Sequence, residues 1–443
     1  MRSPVRQPSL VSGSLYVLIT TRHPAGALPV TTDVAPTPLD HAPEPDPQAP
    51  SGALSRPLLL TLALLAAVAP LATDLYLPAF PSMVSDLGTT DTGAQLTLTM
   101  FLVGMAAGQL VFGPVSDRFG RRGPLLVGVV VCILAGVVAV SATSLWLLAA
   151  ARLVQGLAGS AGLVLGRAVV TDLTSGRAAA RGLSLMMIVG GVAPVIGPAV
   201  GGVLAGPLGW RGLLSVVLGL TVLMLVTVVA FVPETFPADR RAAEHAAHVG
   251  RPSAWAGLAN RAFVGYTVAF TFAFGVLMTY ISASPFLYQD QMGLSETVYG
   301  LVFGLNALGL MVVSAVSAKL VTVHPIHRLA GVGLTLVGLA CVALVVLALA
   351  GVPVGWLAVP IFVAVSSLGL LLGNLAALAM AAVPRGRGTA SAVLGAAQFT
   401  LGGVVSVLSG IGDGPLPVAL LMLASAVVCS ASFLLAGRGR FAS

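Results

Sequence analysis

Two charged side chains stand inside long apolar runs of the sequence. Asp74 lies in the run that begins at Leu58, and Arg152 lies in the run that begins at Leu145. A buried carboxylic acid can take up and release a proton, because burial favours its neutral form and a nearby guanidinium favours its charged form. A charge in mid-helix costs roughly 2.5–3.5 kcal/mol on membrane-insertion scales, so each side chain is expected to face a cavity or a partner.

The elements that carry these residues are predicted to be membrane-spanning helices. The chain of 443 residues is 57% hydrophobic and 8% charged, whereas soluble domains carry about 25% charged residues. Twelve apolar runs have the length of about 20 residues that a span needs, and they do not alternate as the strands of an outer-membrane barrel do. The spans are predicted at 58–80, 94–116, 124–143, 145–170, 183–206, 211–232, 262–285, 297–318, 329–350, 354–381, 389–410 and 415–436.

The basic residues between the spans predict the orientation of the chain. With the N-terminus in the cytoplasm, the inner loops and tail hold fifteen basic residues and the opposite side holds only Arg211. The fifteen are Arg118, Arg121, Arg122, Arg177, Arg181, Arg240, Arg241, Arg251, Arg261, Lys319, Arg328, Arg385, Arg387, Arg438 and Arg440. Positive charge collects on the cytoplasmic side of membrane proteins, so both termini are predicted to be cytoplasmic.

The spacing of the spans predicts an all-α membrane protein made of two six-helix bundles. The predicted divisions are a disordered Pro-, Ala-, Ser- and Thr-rich tail (1–56), a first bundle (57–236), a cytoplasmic linker (237–261), a second bundle (262–436) and a cytoplasmic C-terminal tail (437–443). Two such halves indicate a duplicated bundle with a central pathway.

The loop between the second and third spans carries the first motif. Its sequence runs from Gly113 to Arg122 as GPVSDRFGRR, and it resembles the signature loop of the major facilitator superfamily. The resemblance implies a conformational latch, and the loop residues concerned are Gly113, Asp117, Arg118, Gly120, Arg121 and Arg122. Asp117 is expected to pair with a nearby Arg or with a helix N-terminus such as that near Gly388 and Thr389. The alternative is an anchor that fixes topology without switching.

Further motifs narrow the resemblance. The segment from Arg152 to Gly159 in the fourth span resembles a second motif of the same superfamily. The segment TDLYLPAFP, from Thr73 to Pro81, resembles the first-helix signature of the bicyclomycin/chloramphenicol-resistance branch of twelve-span drug–proton antiporters. The match covers roughly residues 58–436.

The fifth span carries a glycine–proline pattern. Gly197, Pro198, Gly201 and Gly202 resemble the motif associated with antiporters of this superfamily, although Ala193 stands where the pattern has another glycine. Proline bends a helix and glycines allow close packing. The alternative is an ordinary kinked packing helix.

Asp74 and Arg152 are predicted to lie at similar depth. Asp74 lies about 9 Å below Phe80, and Arg152 lies about 10 Å below Leu145, at 1.5 Å per residue. We therefore predict that Asp74 is the proton-coupling site and Arg152 its modulator, as a pair or in a shared polar cavity. The alternative is a static ion pair that holds the first and fourth spans together.

The substrate pathway is predicted from the uncharged polar side chains of the spans. The candidates are Tyr76, Gln155, Asn306, Asn374 and Gln398. Amides in membrane helices also hold neighbouring helices together, so packing is the alternative role for each.

The sequence contains no phosphate-binding loop, dinucleotide loop or zinc-protease helix, so an ion gradient rather than a cofactor is the expected energy source, and an enzyme is not expected. Cys132, Cys341 and Cys429 lack metal-ligand spacing.

The predicted protein is a multi-pass, monomeric transporter of the bacterial inner membrane. Its expected partners are the lipid bilayer, small amphipathic solutes and protons, with no nucleic acid. The resemblance implies multidrug efflux in exchange for protons by alternating access. The alternatives are a proton-coupled uptake symporter and a non-transporting membrane receptor or scaffold.

Overall fold

The structure of the protein, a computed structural model, describes residues 54–248, 257–383, 387–412 and 414–437. The predicted N-terminal tail up to residue 53, residues 249–256 of the predicted linker and the predicted C-terminal tail after residue 437 lie outside these ranges. Within them, the chain forms α-helices joined by turns and by short 3-10 or π segments, and no strand is found in this part of the chain.

The first half contains six helices. They are α1 (Arg56–Asp74), which a 3-10 turn (Leu77–Ala79) joins to α2 (Phe80–Leu87), then α3 (Asp91–Phe119), α4 (Arg122–Val140), α5 (Leu145–Leu173) and α6 (Gly176–Phe231). Pro78 follows the end of α1 in the 3-10 turn. The missing N–H of a proline removes a helical hydrogen bond, which is consistent with an interruption just after Asp74.

The helix α6 contains two membrane spans. A straight helix of its 56 residues would be ~84 Å long, almost three times the hydrocarbon thickness of about 30 Å. Gly209 interrupts it with φ 61° and ψ −178°, a conformation that favours glycine. Eleven helices in the described ranges are long and apolar enough to span a membrane. Because α6 contributes two spans, they correspond to the twelve predicted ones.

The second half follows the helix α7 (Ala238–His248), which lies in the predicted linker and which the apolar runs did not predict. Its helices are α8 (Arg261–Pro285) with a π segment (Phe286–Gln291), α9 (Glu296–Leu320), α10 (Ile326–Leu349), α11 (Ala358–Ser367), α12 (Leu372–Ala381), α13 (Arg387–Leu408) and α14 (Pro415–Gly437). A 3-10 turn (Leu368–Leu370) joins α11 to α12, and together they form one interrupted span.

Polar residues fix where several spans begin. The side chains of Thr90, Ser144, Asn260 and Ser295 precede α3, α5, α8 and α9, and each accepts a hydrogen bond from the backbone N–H three residues later. This pattern satisfies one of the free N–H groups at a helix start. The loop boundaries therefore follow from local chemistry as well as from hydropathy.

The two halves meet through α3 against α13 and α6 against α9. We call the side with the segments 118–122, 173–181 and 231–241, which contain seven arginines, the Arg-rich side. The side-chain hydrogen bonds that join the halves within the described ranges lie towards the opposite side. They include Thr92 to Gly410 O (2.7 Å), Gln95 to Ser282 O (3.2 Å), Thr99 to Gly403 O (2.9 Å), Ser406 to Gln95 O (3.5 Å), Gln289 to Pro78 O (3.0 Å) and Thr297 to Gly202 O (3.1 Å). This is a conformation closed on the side opposite the Arg-rich loops.

Candidate functional site

A cavity of about 610 Å³ lies between the two halves. Residues of α1, α3, α5 and α6 line it on one side, and residues of α8, α9, α11 and α13 line it on the other. Its wall is mainly apolar, with large side chains from Phe101, Met105, Met186, Met187, Phe274, Met278, Phe303 and Phe399. Among the described residues that line it, only Asp74 and Arg167 carry a formal charge.

Asp74 is the last residue of α1 and lies in the cavity wall. The residue is buried, with 3% of its surface exposed. Its Oδ1 accepts a hydrogen bond of 2.8 Å from the Thr73 hydroxyl, which also lines the cavity. Asp74 is thus a carboxylate at the end of a broken helix, with the Thr73 hydroxyl as its hydrogen-bond donor and the hydroxyl groups of Tyr280 and Tyr299 close enough to interact with its charge.

Arg152 lies behind this wall and does not line the cavity. It is fully buried, its Nη2 donates to the Ala72 carbonyl oxygen (2.7 Å), and its Nη1 donates to Gln155 Oε1 (2.7 Å). The guanidinium carbon lies 4.7 Å from the Tyr76 ring centre and 4.3 Å from the Phe101 ring centre. Two neutral acceptors and two aromatic faces therefore hold the charge.

Among the ion pairs of the described residues, none joins Asp74 to Arg152, so the expected direct pair is not formed. The physical reason is that the fork of Arg152 is directed to the backbone of α1 and to its own helix. Arg152 instead holds a carbonyl group two residues before Asp74, so any effect on the carboxylate acts through the α1 backbone or across space. The coupling roles of both residues stay predictions.

The five predicted pathway residues do not line the cavity. The Tyr76 hydroxyl lies 3.1 Å from the Thr97 hydroxyl, and Gln155 binds Arg152. Asn374 donates to Ser317 Oγ (3.0 Å) and to Leu370 O (2.8 Å), which is the packing role that amides have between membrane helices. Gln398 is half-buried.

Asn306 forms a side-chain hydrogen bond with a residue that lines the cavity. Its Nδ2 donates to the hydroxyl oxygen of Tyr280 (3.0 Å), and Tyr280 lines the cavity. The Tyr280 ring also stacks on Phe303, with 5.3 Å between the ring centres. Asn306 therefore positions a polar group of the wall.

The predicted latch loop forms a network within the first half. Arg121 pairs with Asp117 (2.7 Å) and with Asp172 (3.0 Å), and its Nη1 donates to Ser116 Oγ (2.6 Å). The Thr235 hydroxyl also donates to Asp172 (3.0 Å). Asp117 remains 66% exposed and takes the nearby-Arg alternative in this conformation.

Glu234 holds two latch residues, Arg121 and Arg122, at the start of α4. The Glu234 carboxylate accepts from the backbone N–H groups of Arg121 (2.9 Å) and Arg122 (3.1 Å). Burial raises the pKa of Glu234, but these donors, the Phe236 N–H and the charge of Arg241 outweigh it and hold that pKa below its usual value of 4.5.

The glycines of the loop differ in what they allow. Gly120 has φ 91°, and a Cβ there would lie 2.7 Å from Glu234 Oε2, so the tight turn requires glycine. Gly113 has open space around it, and the exposed Arg118 lies over the Phe119 ring at 5.5 Å.

The glycine–proline pattern of α6 lies where three spans meet. A Cβ at Gly201 would overlap the Leu75 carbonyl oxygen, and a Cβ at Gly202 would overlap that of Glu296 in α9. At Gly197 a Cβ would meet Asp74 Cβ at 3.5 Å. These glycines let α6 touch the broken end of α1 and the start of α9 at once.

Most of the chain matches the sequence pattern of a known protein family. The sequence pattern of the Major Facilitator Superfamily matches residues 62–407. The chain belongs to the major facilitator superfamily. Its relatives include the "Uncharacterized MFS-type transporter YdgK" of Bacillus subtilis (strain 168), 33% identical over 389 residues that cover 87% of this chain and 96% of that protein.

Relatives with drug-resistance names support the predicted branch of the superfamily. The "Bicyclomycin resistance protein homolog" of Haemophilus influenzae is 28% identical, covering 79% of this chain and 88% of that protein. The "Multidrug resistance protein MdtL" of Klebsiella pneumoniae is also 28% identical, covering 59% of this chain and 65% of that protein. The superfamily consists of transporters, so the protein is a multi-pass transporter of the bacterial inner membrane and not an enzyme.

Solved structures show the same major facilitator fold. A D-xylose–proton symporter has a TM-score of 0.69 at 14% identity, over 84% of this chain and 96% of that chain. A bacterial homologue of the human lysosomal transporter Spinster, inward-facing and unoccupied, has a TM-score of 0.67 at 18% identity, over 86% of this chain and 96% of that chain. The predicted all-α major facilitator fold is confirmed, and the cytoplasmic position of both termini stays a prediction.

The sequence did not single out Arg167 or Thr73 as residues of this major facilitator cavity. A signal for Arg167 was present, because it lies inside the predicted span 145–170, as Arg152 does. The sequence also did not single out Asp172, which is a partner of Arg121.

Proposed function

We propose that this transporter exports small amphipathic solutes in exchange for protons, and that Asp74 carries the proton. The observation behind the proposal is the position of Asp74, the one carboxylate among the described residues that line the apolar cavity between the halves. A carboxylate there can meet both a solute and a proton, as exchange requires.

The cavity suits the proposed solutes by size and by surface. Small-molecule sites usually enclose about 300–1,000 Å³ and are lined mainly by apolar and aromatic side chains, and this cavity has about 610 Å³. Met105, Met186, Met187 and Met278 lie in its wall. Methionine side chains adapt to ligands of different shape. The names of the bicyclomycin and multidrug resistance relatives agree with such solutes.

The exchange would use competition at Asp74. A protonated Asp74 is neutral and tolerates an apolar surrounding, whereas the charged form needs water or a donor. A solute that enters from the Arg-rich side and donates a hydrogen bond to the Asp74 carboxylate would stabilise its charged form and so favour release of the proton there. Each proton that returns inward through about 100 mV supplies roughly 2.3 kcal/mol for the cycle.

Alternating access would also use the latch loop. Asp117 is exposed in the present conformation, which is closed on the side opposite the Arg-rich loops. When the halves close on the Arg-rich side instead, an exposed carboxylate can contact the second half. We therefore assign the latch to the opposite conformation, in which it would hold the Arg-rich side shut.

The test is solute-evoked proton release from purified protein in liposomes. We expect radiolabelled chloramphenicol, a sulfonamide and bicyclomycin as trial solutes to release protons from the wild type and not from Asp74→Asn. The matched control is Asp290→Asn, since Asp290 is exposed and lies outside the cavity. Equal proton and solute movement in Asp74→Asn and the wild type would overturn the assignment of Asp74.

The direction of transport needs a separate measurement. Right-side-out and inverted membrane vesicles, energised by the same proton gradient, should accumulate the solute only in the inverted preparation. Accumulation in right-side-out vesicles would identify an uptake symporter, and no flux in either preparation would favour a receptor or scaffold.

A further inference from the structure

Arg167 presents a second charge to the cavity, apart from the proposed proton site. Its side chain is exposed to the cavity, among Leu163, Leu183, Met186 and Met187. Among the described residues, its guanidinium has no ion pair and no hydrogen-bond acceptor. An arginine at membrane depth is costly unless water or a partner compensates its charge.

Asp74 cannot be that partner in this conformation. Gly166, beside Arg167, packs at the level of Leu65 in α1, since a Cβ at Gly166 would lie 3.7 Å from Leu65 Cβ. Asp74 lies nine residues further along α1, which is about 14 Å along the helix axis. The acid and the cation therefore occupy separate parts of the same wall, with apolar surface between them.

We propose that Arg167 binds the anionic group of a transported amphipathic solute, such as a carboxylate, a sulfonate or a deprotonated sulfonamide. The apolar body of this solute would lie against the methionine and phenylalanine side chains of the cavity. The guanidinium fork matches a planar or tetrahedral oxyanion with two parallel hydrogen bonds. This inference rests on the proposed function, because it names the chemical class of the solute.

Closing of the cavity on the Arg-rich side would increase the need for an anion beside Arg167. In the present conformation water from the Arg-rich side can solvate Arg167. Once that side closes, the cation loses its water, and its charge then requires an anion inside the cavity. A bound anionic solute meets this requirement, so it is favoured over a neutral solute of the same shape.

The experiment measures equilibrium binding of two matched probes to the full chain in phosphatidylcholine nanodiscs. The probes are dansyl-phenylalanine, with a free carboxylate, and its carboxamide. We expect Arg167→Gln to weaken binding of the carboxylate probe about ten-fold or more, equivalent to about 1.4 kcal/mol, and to change binding of the carboxamide less than two-fold. Arg167→Lys should lose less, since it keeps the charge without the fork.

The control variant is Arg181→Gln, which removes a cation from α6 outside the cavity lining and should change neither affinity. The carboxamide also reports whether Arg167→Gln is folded. The proposal is overturned by equal losses for both probes, by no loss for the carboxylate, by the same loss in Arg181→Gln, or by a wild type that binds neither probe.

Two further comparisons distinguish a solute anion from a lipid headgroup, and the binding proposal from the proton-exchange proposal. Nanodiscs with phosphatidylglycerol should leave the carboxylate affinity within two-fold, whereas strong competition would assign Arg167 to an anionic lipid headgroup and overturn the solute assignment. Binding is measured without a gradient, so a failure of proton release with Asp74→Asn leaves this result unchanged, and a failure here leaves proton exchange unchanged.

Discussion

Gly202 offers a direct test of how the two halves close on the side opposite the Arg-rich loops. Its backbone packs against α9 at Glu296 and Gly300, and its carbonyl oxygen accepts from the Thr297 hydroxyl at 3.1 Å. Gly202→Ala adds one methyl group at this crossing. The methyl would overlap the Glu296 carbonyl oxygen and would lie 3.2 Å from Gly300 Cα.

The size of the effect follows from what the methyl group meets. It meets backbone atoms, which cannot rotate away as a side chain can. Carbon atoms pack best at about 3.5–4.0 Å, so α6 and α9 must separate by roughly 1 Å. Overpacking of this kind costs about 1–3 kcal/mol. The cost applies to the conformation in which the helices touch, so the equilibrium should shift towards the opposite conformation by about 5- to 150-fold.

The assay is a distance measurement between two spin labels on the side that is closed here. Ser85, after the broken end of α1, and Gln291, at the end of the π segment, are exposed in different halves. The three native cysteines are buried, which limits background labelling. Gly202→Ala should enlarge the population with the longer label distance and slow solute exchange.

The matched control is Gly191→Ala in the same helix, where an added Cβ would meet no atom within 4 Å. It carries the same change in helix propensity without the crossing contact. If Gly202→Ala and Gly191→Ala give the same distance distribution as the wild type, the crossing of α6 and α9 does not control closure, and the reasoning from packing is refuted.

Three further predictions concern stability. Glu234→Gln should lower the free energy of unfolding by about 1 kcal/mol, as the loss of a capping carboxylate does, and the thermal midpoint should fall by about one or two degrees. Because the pKa of Glu234 is lowered in the folded protein, its contribution to stability is present above about pH 4.5 and is lost as the pH falls through that lowered pKa. Arg152→Lys should lower the free energy of unfolding in detergent by about 2 kcal/mol or more, because an ammonium group lacks the flat fork that reaches both acceptors and stacks on both rings. An unchanged thermal midpoint would contradict this. A double-mutant cycle of Asp86→Ala and Arg211→Ala should give a coupling of about 0.5–1 kcal/mol, because both partners of this ion pair are partly exposed.

The membrane spans could be predicted because lipid imposes one strong rule on the sequence. Backbone groups must bond within the helix and side chains must be apolar over about 20 residues. The run 415–436, for example, became α14, Pro415–Gly437. The helix α7 could not be predicted by this rule, because it is short and polar and no membrane thickness fixes its length.

The presence of Asp74 and Arg152 inside apolar runs could be predicted, but their contacts could not. Depth along a helix follows from a rise of 1.5 Å per residue, whereas the direction of a long side chain depends on neighbours from other helices. Arg152 donates from Nη2 to the Ala72 carbonyl and from Nη1 to Gln155, whereas its buried Nε has no hydrogen-bond partner among the described residues. For the same reason, Asn374 became a packing residue rather than part of the wall.

The broken end of α1 connects the predicted motifs into one arrangement. Arg152 binds the Ala72 carbonyl before Asp74, and Gly201 of α6 packs on the Leu75 carbonyl after it. One contact joins α1 to α5, and the other joins α1 to α6, the helix that packs against α9 of the second half. We therefore expect movement of α6 against α9 to displace the backbone on one side of Asp74 while Arg152 holds the other. The carboxylate lies at the point where these two contacts meet, so we expect its exposure to water to differ between the two conformations of the transporter, even though no ion pair joins it to Arg152.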